Sequence, residues 1–139
     1  MEETIITNSI CKEKKPFFTI ITPIYNRSKI VNRTFESVKK QSFKDFEYII
    51  VDDGSTDDID QVVESFMKTA TFPIMYIKKQ NGGVHTARNL GIKYGNGVLV
   101  IMIDSDDELT ENCLQDSYDE WNSIPEKDIN SYYQMKRTM

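Results

Sequence analysis

At 139 residues, 39% hydrophobic and 28% charged, the chain has the length and balance of one globular domain with a real core. Its net charge of −5 lacks the basic footprint that general nucleic-acid binding requires, so nucleic acid is excluded as a partner. No run approaches the ~20 apolar residues of a membrane span, and the acidic start Met1-Glu2-Glu3-Thr4-Ile5-Ile6-Thr7-Asn8 does not read as a secretory signal. Cys11 and Cys113 lie far apart without metal-ligand spacing and read as the reduced thiols of a cytoplasmic protein.

In chain order, residues 1–15 are polar and end in Lys12-Glu13-Lys14-Lys15, which predicts a loose leader. Phe17 to Ile24, rich in aromatic and β-branched residues, predicts a buried strand. Ile30, Val31, Thr34, Phe35 and Val38 recur at helical spacing, with Ser28 as the expected cap. Glu47 to Val51 reads as a second strand. Ile59, Val62, Val63, Phe66 and Met67 form a second amphipathic helix, capped by Thr56 or Asp57. Ile74 to Ile77 is a short third strand after Pro73. A third helix follows Asn81-Gly82-Gly83, with Ala87, Leu90 and Tyr94 on one face, and ends at Gly95-Asn96-Gly97, residues that tolerate positive φ. Val98 to Ile103 is the most apolar strand, and Thr110 is the expected cap of a last helix carrying Leu114, Tyr118 and Trp121. Ser123 to Met139 carries no apolar period and reads as a frayed tail.

This alternation predicts an α/β fold, a mostly parallel sheet flanked by helices with right-handed crossovers. The organisation is a leader over 1–15, one domain over 16–122 and an atypical tail over 123–139.

Two acidic clusters stand at strand ends. Asp52-Asp53-Gly54-Ser55-Thr56-Asp57 follows the second strand, and Asp104-Ser105-Asp106-Asp107 follows the fourth. Carboxylates just past a buried strand are costly without a cation or donors to face, and open α/β sheets bind ligands in the crevice beyond the strands' carboxyl ends. The turn chemistry of residues 55–57 accounts for Ser55, Thr56 and Asp57 as caps but leaves Asp52 and Asp53 over. Asp104-x-Asp106 offers hard oxygen ligands suited to Mg²⁺ or Mn²⁺. An EF-hand is excluded, because the sixth position from Asp104 is Leu109 and the twelfth is Gln115.

The segment Asn81-Gly82-Gly83-Val84-His85-Thr86-Ala87-Arg88-Asn89 opens a helix behind glycines, an arrangement that frees backbone N–H groups for an anion. Arg88, one turn in, adds a charge-assisted contact or pairs with an aspartate. It is neither a dinucleotide fingerprint nor a Walker loop. His85, the single histidine, has no nucleophile near it in sequence and reads as a surface residue.

Four segments in this order, Thr19-Ile20-Ile21-Thr22-Pro23-Ile24-Tyr25-Asn26, Val51-Asp52-Asp53-Gly54-Ser55-Thr56-Asp57, Asn81-Gly82-Gly83 through Ala87-Arg88-Asn89-Leu90-Gly91, and Asp104-Ser105-Asp106-Asp107, resemble the N-terminal half of family 2 glycosyltransferases of the Rossmann-like GT-A fold, over residues 17–121. The resemblance implies a nucleotide-diphosphate sugar site, most often for a UDP-sugar. Pro23 and Tyr25 would line the nucleobase pocket, Asp53 would hydrogen-bond the base, Arg88 would sit near the nucleotide, Asp104 near the ribose and Asp106 on a Mn²⁺ or Mg²⁺ ion. It further implies inverting transfer to a saccharide or lipid-linked acceptor, in polysaccharide biosynthesis at the inner face of the membrane.

In the family the general base lies downstream, in an acceptor half that nothing in Ser123–Met139 resembles. Glu111, Glu120 and Glu126 are carboxylates outside the expected motif, so the catalytic residue is unassigned and the C-terminal half is expected to be incomplete, as in a truncated or frameshifted reading frame. The alternative is a non-catalytic nucleotide-sugar-binding remnant. A haloacid-dehalogenase-like phosphatase also carries Asp-x-Asp after a strand, but at the start of its domain and without a preceding Asp-Asp-Gly-Ser. The resemblance implies a sheet order 3-2-1-4 among the four predicted strands, leaving Val98–Ile103 as a bare apolar edge that invites oligomerisation.

Overall fold

The computed structural model describes residues 3–10 and 14–125; Cys11 and most of the predicted tail lie outside them. The elements are β1 (Thr4–Thr7), β2 (Phe18–Ile24), α1 (Asn32–Lys39), β3 (Phe46–Asp53), α2 (Ile59–Thr69), β4 (Ile74–Lys79), α3 (Val84–Tyr94), β5 (Leu99–Met102) and α4 (Cys113–Ser123). They build one five-stranded sheet in the order β1-β4-β3-β2-β5. The four strands after β1 are parallel, in the order the resemblance implies.

One expectation is overturned at the N-terminus. Within the presumed leader, Thr4–Thr7 pairs antiparallel with β4, Ile5 opposite Ile77 and Ile6 opposite Tyr76. Ile5 and Ile6 are 41% and 45% exposed, so the strand shows no apolar periodicity. What holds it is the ladder on the open edge of β4, a partner that local spacing does not reveal.

The strands read as continuous apolar runs because both faces of the sheet are covered. Along β2 and β3, Phe18, Ile20, Ile24, Phe46, Tyr48 and Ile50 face one side, joining Val31, Phe35 and Val38 of α1, Ile59, Val63 and Phe66 of α2, and Cys113 and Leu114 of α4. Ile21, Ile49 and Val51 face the other, under Ala87 of α3. Phe35 stacks on Phe66 at 4.6 Å and meets Tyr48 edge-on at 6.1 Å, an aromatic centre for the larger half of the core. Tyr48 is fully buried there, its hydroxyl 2.6 Å from that of Thr22.

The helix starts differ in part from expectation. Ser28 precedes a turn; α1 starts at Asn32, and the Ser28 N–H donates to Asp57 Oδ2 at 2.9 Å. α2 starts behind Asp58; Thr56 donates its N–H to Asn26 Oδ1 at 2.8 Å, while Asp57, the other expected cap, accepts the N–H of Ile59, the first residue of α2. α4 starts behind Asn112, not Thr110, whose carbonyl accepts from Gln41. Gly95 ends α3 with φ at −73°, so positive φ is not its reason. A Cβ at Gly97 would lie 2.5 Å from the Thr19 N and 2.6 Å from the Phe18 C, so glycine is required there by close approach to β2.

Candidate functional site

At the carboxyl ends of β2, β3 and β5 a cavity of about 580 Å³ is lined by Pro23, Ile24, Tyr25, Asn26, Arg27, Asp53, Asn81, Gly83, Val84, Arg88, Asp104, Ser105 and Asp106. Every binding residue predicted from the sequence is among them. A larger hollow of about 680 Å³ lies at the opposite end of the sheet, beside Thr7, Asn8, Glu47 and Gly95. It has no carboxylate cluster and sits at the wrong end of the strands for a ligand in an open α/β sheet.

Pro23 sits in a central strand, where a missing N–H normally breaks the ladder. The Phe17 carbonyl accepts from Leu99 at the start of β5 and the Ile21 carbonyl from Ile103 just past its end, and by alternation Pro23 turns to the same side. β5 ends opposite Ile21, so at Pro23 there is no neighbour left to bond. The strand end is thereby kept open, and the half-exposed Tyr25 follows it at the rim. Asn26 adopts φ 52°, a left-handed conformation asparagine tolerates. Its N–H donates to Ser55 Oγ at 2.9 Å, tying the loops after β2 and β3 together. Gly54, at φ 80°, would carry a Cβ 2.7 Å from the Asn81 N, so this turn admits only glycine if the Asn81 loop is to close on it.

The two aspartates of the first cluster end β3, paired with Lys78 and Lys79 of β4, and they point opposite ways. Asp53 lines the cavity and Asp52 does not. Burial pushes the Asp52 carboxyl above its usual range despite hydrogen bonds from Ser55, whose N–H is 3.1 Å away. For Asp53 burial also pushes upward, but the Lys79 ammonium and the Gly82 and Gly83 N–H groups outweigh it and hold the carboxyl below its usual range. The linkage signs are therefore opposite. Asp52 contributes stability at low pH that is lost as pH rises through its folded pKa. Asp53 contributes stability above its unfolded pKa that is lost as pH falls through its folded value. Asp57 behaves like Asp53: burial is outweighed by hydrogen bonds from Ser28 and from the Ile59 N–H.

In the second cluster, oxygens of Asp104, Asp106 and Asp107 lie within 4.8 Å of one another. Ligand oxygens around a divalent ion bound at roughly 2.1 Å stand about 3–4 Å apart, so the donor set fits such an ion with small adjustments. Arg88 Nη2 is 3.1 Å from Asp104 Oδ1, and the Arg88 Nε is buried without a partner. His85 is exposed and does not line the cavity, as its sequence context implies.

Sequence reasoning missed the residues that hold the acidic loop. Thr34 Oγ1 donates to the Asp107 carbonyl at 2.5 Å, Ser37 Oγ accepts the Leu109 N–H at 3.0 Å, and Arg33 Nη2 reaches the Asp106 carbonyl at 3.3 Å. Gln41, fully buried, donates to the Thr110 carbonyl at 2.7 Å and accepts the Leu114 N–H at 3.0 Å. The available signal was the polar series Thr34, Ser37 and Gln41 at helical spacing within an otherwise apolar face. Gln41→Ala leaves the buried Leu114 N–H without its acceptor and takes one of two donors from the Thr110 carbonyl, and is expected to cost about 1–3 kcal/mol in urea unfolding. A change under about 0.5 kcal/mol would mean that the loop is held otherwise.

This mostly parallel sheet, with its cavity beyond the strand ends and acidic residues of two clusters lining it, defines a GT-A-type glycosyltransferase domain. Residues 19–129 match the model of glycosyl transferase family 2, and the chain belongs to that family. It is 33% identical over 119 residues to the glycosyltransferase GlyG of Streptococcus pneumoniae, covering 83% of this chain and 38% of GlyG. It is likewise 33% identical over 102 residues to the poly(ribitol-phosphate) beta-N-acetylglucosaminyltransferase TarS of Staphylococcus aureus, covering 72% of this chain and 18% of TarS. A crystal structure of TarS in complex with UDP superposes with a TM-score of 0.71 at 30% identity, over 76% of this chain and 32% of that one. A mannosyltransferase from Pyrobaculum calidifontis, solved with GDP-Man and Mn²⁺, shares the fold: its TM-score is 0.70 at 21% identity, over 81% of this chain and 34% of that one. The chain thus spans well under half the length of these relatives.

Proposed function

We propose that the cavity binds a nucleotide-diphosphate sugar, a UDP-sugar, and presents it for inverting glycosyl transfer to a polysaccharide or glycolipid acceptor. The observation that carries this reading is the convergence of Pro23, Tyr25, Asp53, Arg88, Asp104 and Asp106 on one cavity at the strand ends. Pro23 and Tyr25 flank the base, Asp53 accepts its N–H, Asp104 meets the ribose and Arg88 the anionic nucleotide. Asp106 holds a Mn²⁺ or Mg²⁺ ion, a role supported by the carboxylate cluster. When bound, that ion neutralises the charge growing on the departing diphosphate. The crystal structure of TarS with UDP supports uracil as the base. The TarS name, which specifies a poly(ribitol-phosphate) acceptor, supports a cell-envelope polymer as the acceptor class here.

No helix among the described residues is long and apolar enough to cross a membrane, in keeping with a cytoplasmic domain that meets a lipid-linked acceptor at the inner face. Among the described residues β5 pairs only with β2, and the edge this leaves open supports association between copies.

A second reading, donor binding without turnover by this chain alone, is favoured by the cavity's own carboxylates. Asp53 is committed to Lys79 and Asp104 to Arg88, while Glu111 lies in a separate hollow beside α1 and Glu126 falls outside the described residues. Titration calorimetry with UDP and Mn²⁺, beside a turnover assay with UDP-sugars, separates the readings. Binding with turnover supports the enzyme, and binding without it supports the donor-binding domain. If UDP does not bind even with metal, the donor-site assignment fails.

A further inference from the structure

The Asp53 carboxylate is gripped by a cation that no sequence motif announces. Lys79 Nζ and the Gly82 N–H donate to Oδ1 at 2.6 and 2.9 Å. Oδ2 accepts the Gly83 N–H at 2.9 Å and, more weakly, Asn81 Nδ2 at 3.3 Å. That amide makes its better bond, 2.9 Å, to the Asp53 carbonyl, so Oδ2 is where an incoming donor finds room. The Lys79 and Asp53 side chains are only 8% and 5% exposed. A carboxyl so buried is driven toward its neutral form unless a cation and donors face it. As an anion it only accepts hydrogen bonds; as a neutral acid it also donates one.

Resting on the reading that Asp53 meets the nucleobase, we infer that Lys79 is a positioning residue that keeps Asp53 an acceptor and so makes the pocket select a base presenting an imide N–H over one presenting a ring-nitrogen acceptor. Uracil and cytosine differ in this way at one ring position, and an ionised carboxylate facing the cytosine nitrogen sets lone pair against lone pair. Lys79 is not among the cavity-lining residues, so it acts through Asp53 and through the Gly82 N–H that shares Oδ1. The other charged or titratable groups on the cavity are Tyr25 and Arg27 after β2, Arg88 on α3, and Asp104 and Asp106 after β5. Arg88 is engaged with Asp104, and among the described residues Lys79 is the side-chain cation in contact with Asp53.

The test is titration calorimetry of UDP and of CDP with saturating Mn²⁺, on the full chain, its Lys79→Arg and its Lys79→Met variants, between about pH 5 and 8. The diphosphate and the residues proposed to hold the metal are the same in all three proteins, so each variant is read as a ratio to wild type at the same pH. Wild type is expected to prefer UDP by about tenfold or more. Lys79→Met is expected to lose UDP affinity progressively as pH falls, reaching about tenfold or more at the acid end, with the UDP preference collapsing alongside. Lys79→Arg retains both. A folded Lys79→Met with the wild-type preference and pH profile overturns the inference and leaves the donor site standing. Failure of wild type to bind UDP removes both. Should Lys79→Met not fold, the wild type still decides: the Asp53 carboxyl carbon, followed by NMR, is expected to titrate below the ordinary carboxylate range. A midpoint within or above that range overturns the inference.

Discussion

Asp106→Asn is expected to weaken Mn²⁺-dependent UDP binding by about 100-fold or more, the scale on which metal sites respond to changes in the groups that hold or orient the ion. The fold should tolerate it. The Asp106 side chain is exposed, and the loop is held through backbone groups, with the Asp106 and Asp107 carbonyls bonded to Arg33 and Thr34. Removing one of three clustered carboxylates also relieves like-charge repulsion, so the melting temperature should hold or rise slightly. Affinity and stability therefore part company in this variant. Calorimetry with and without Mn²⁺ measures the first and a thermal melt the second. Wild-type affinity in the presence of metal would take Asp106 out of the metal role.

The opposite signature is expected of Phe35→Ala. Phe35 is 1% exposed, stacked on Phe66 and edge-on to Tyr48, between α1, α2 and the central strand. Truncation removes a large buried ring and leaves a cavity that rigid strands on one side cannot fill, costing about 3–5 kcal/mol. For a chain of this size that is roughly 10–20 °C in melting temperature. α1 also carries Thr34 and Ser37, which hold the acidic loop, so nucleotide binding should weaken as well, but less than stability. Urea unfolding gives the first number. A loss under about 1 kcal/mol would show that neighbouring side chains close the space.

Much of this architecture was legible locally. The periods that mark Phe17–Ile24, Glu47–Val51 and Val98–Ile103 as strands survive as β2, β3 and β5 to within two residues at each end. The acidic pairs at two strand ends read as ligand-facing because a buried strand cannot end in carboxylates without something for them to meet. Less legible was the division of labour within a pair. Asp52 and Asp53 are chemically alike and adjacent, yet strand alternation turns Asp53 to the cavity and Asp52 away from it. The caps expected at Thr56 and Ser28 failed for a related reason: each hydroxyl meets a partner from another segment, Asn26 and Asp57.

Outside the N-terminal segment, side-chain periodicity and the short-range chemistry of turns determined the class of each element and the acidic ends of two strands. The resemblance of four ordered motifs to family 2 glycosyltransferases added Pro23 and Tyr25 and gave the site residues their expected roles. Only the tertiary structure decided what stands beside them. It brought β1 onto the edge of β4, set the polar face of α1 under the acidic loop, and matched Asp53 with Lys79 across two strands. Strand register and long-range hydrogen bonds depend on how separate segments pack, and local spacing carries no record of that. The cation beside the Asp53 carboxylate therefore becomes visible only once the sheet is assembled.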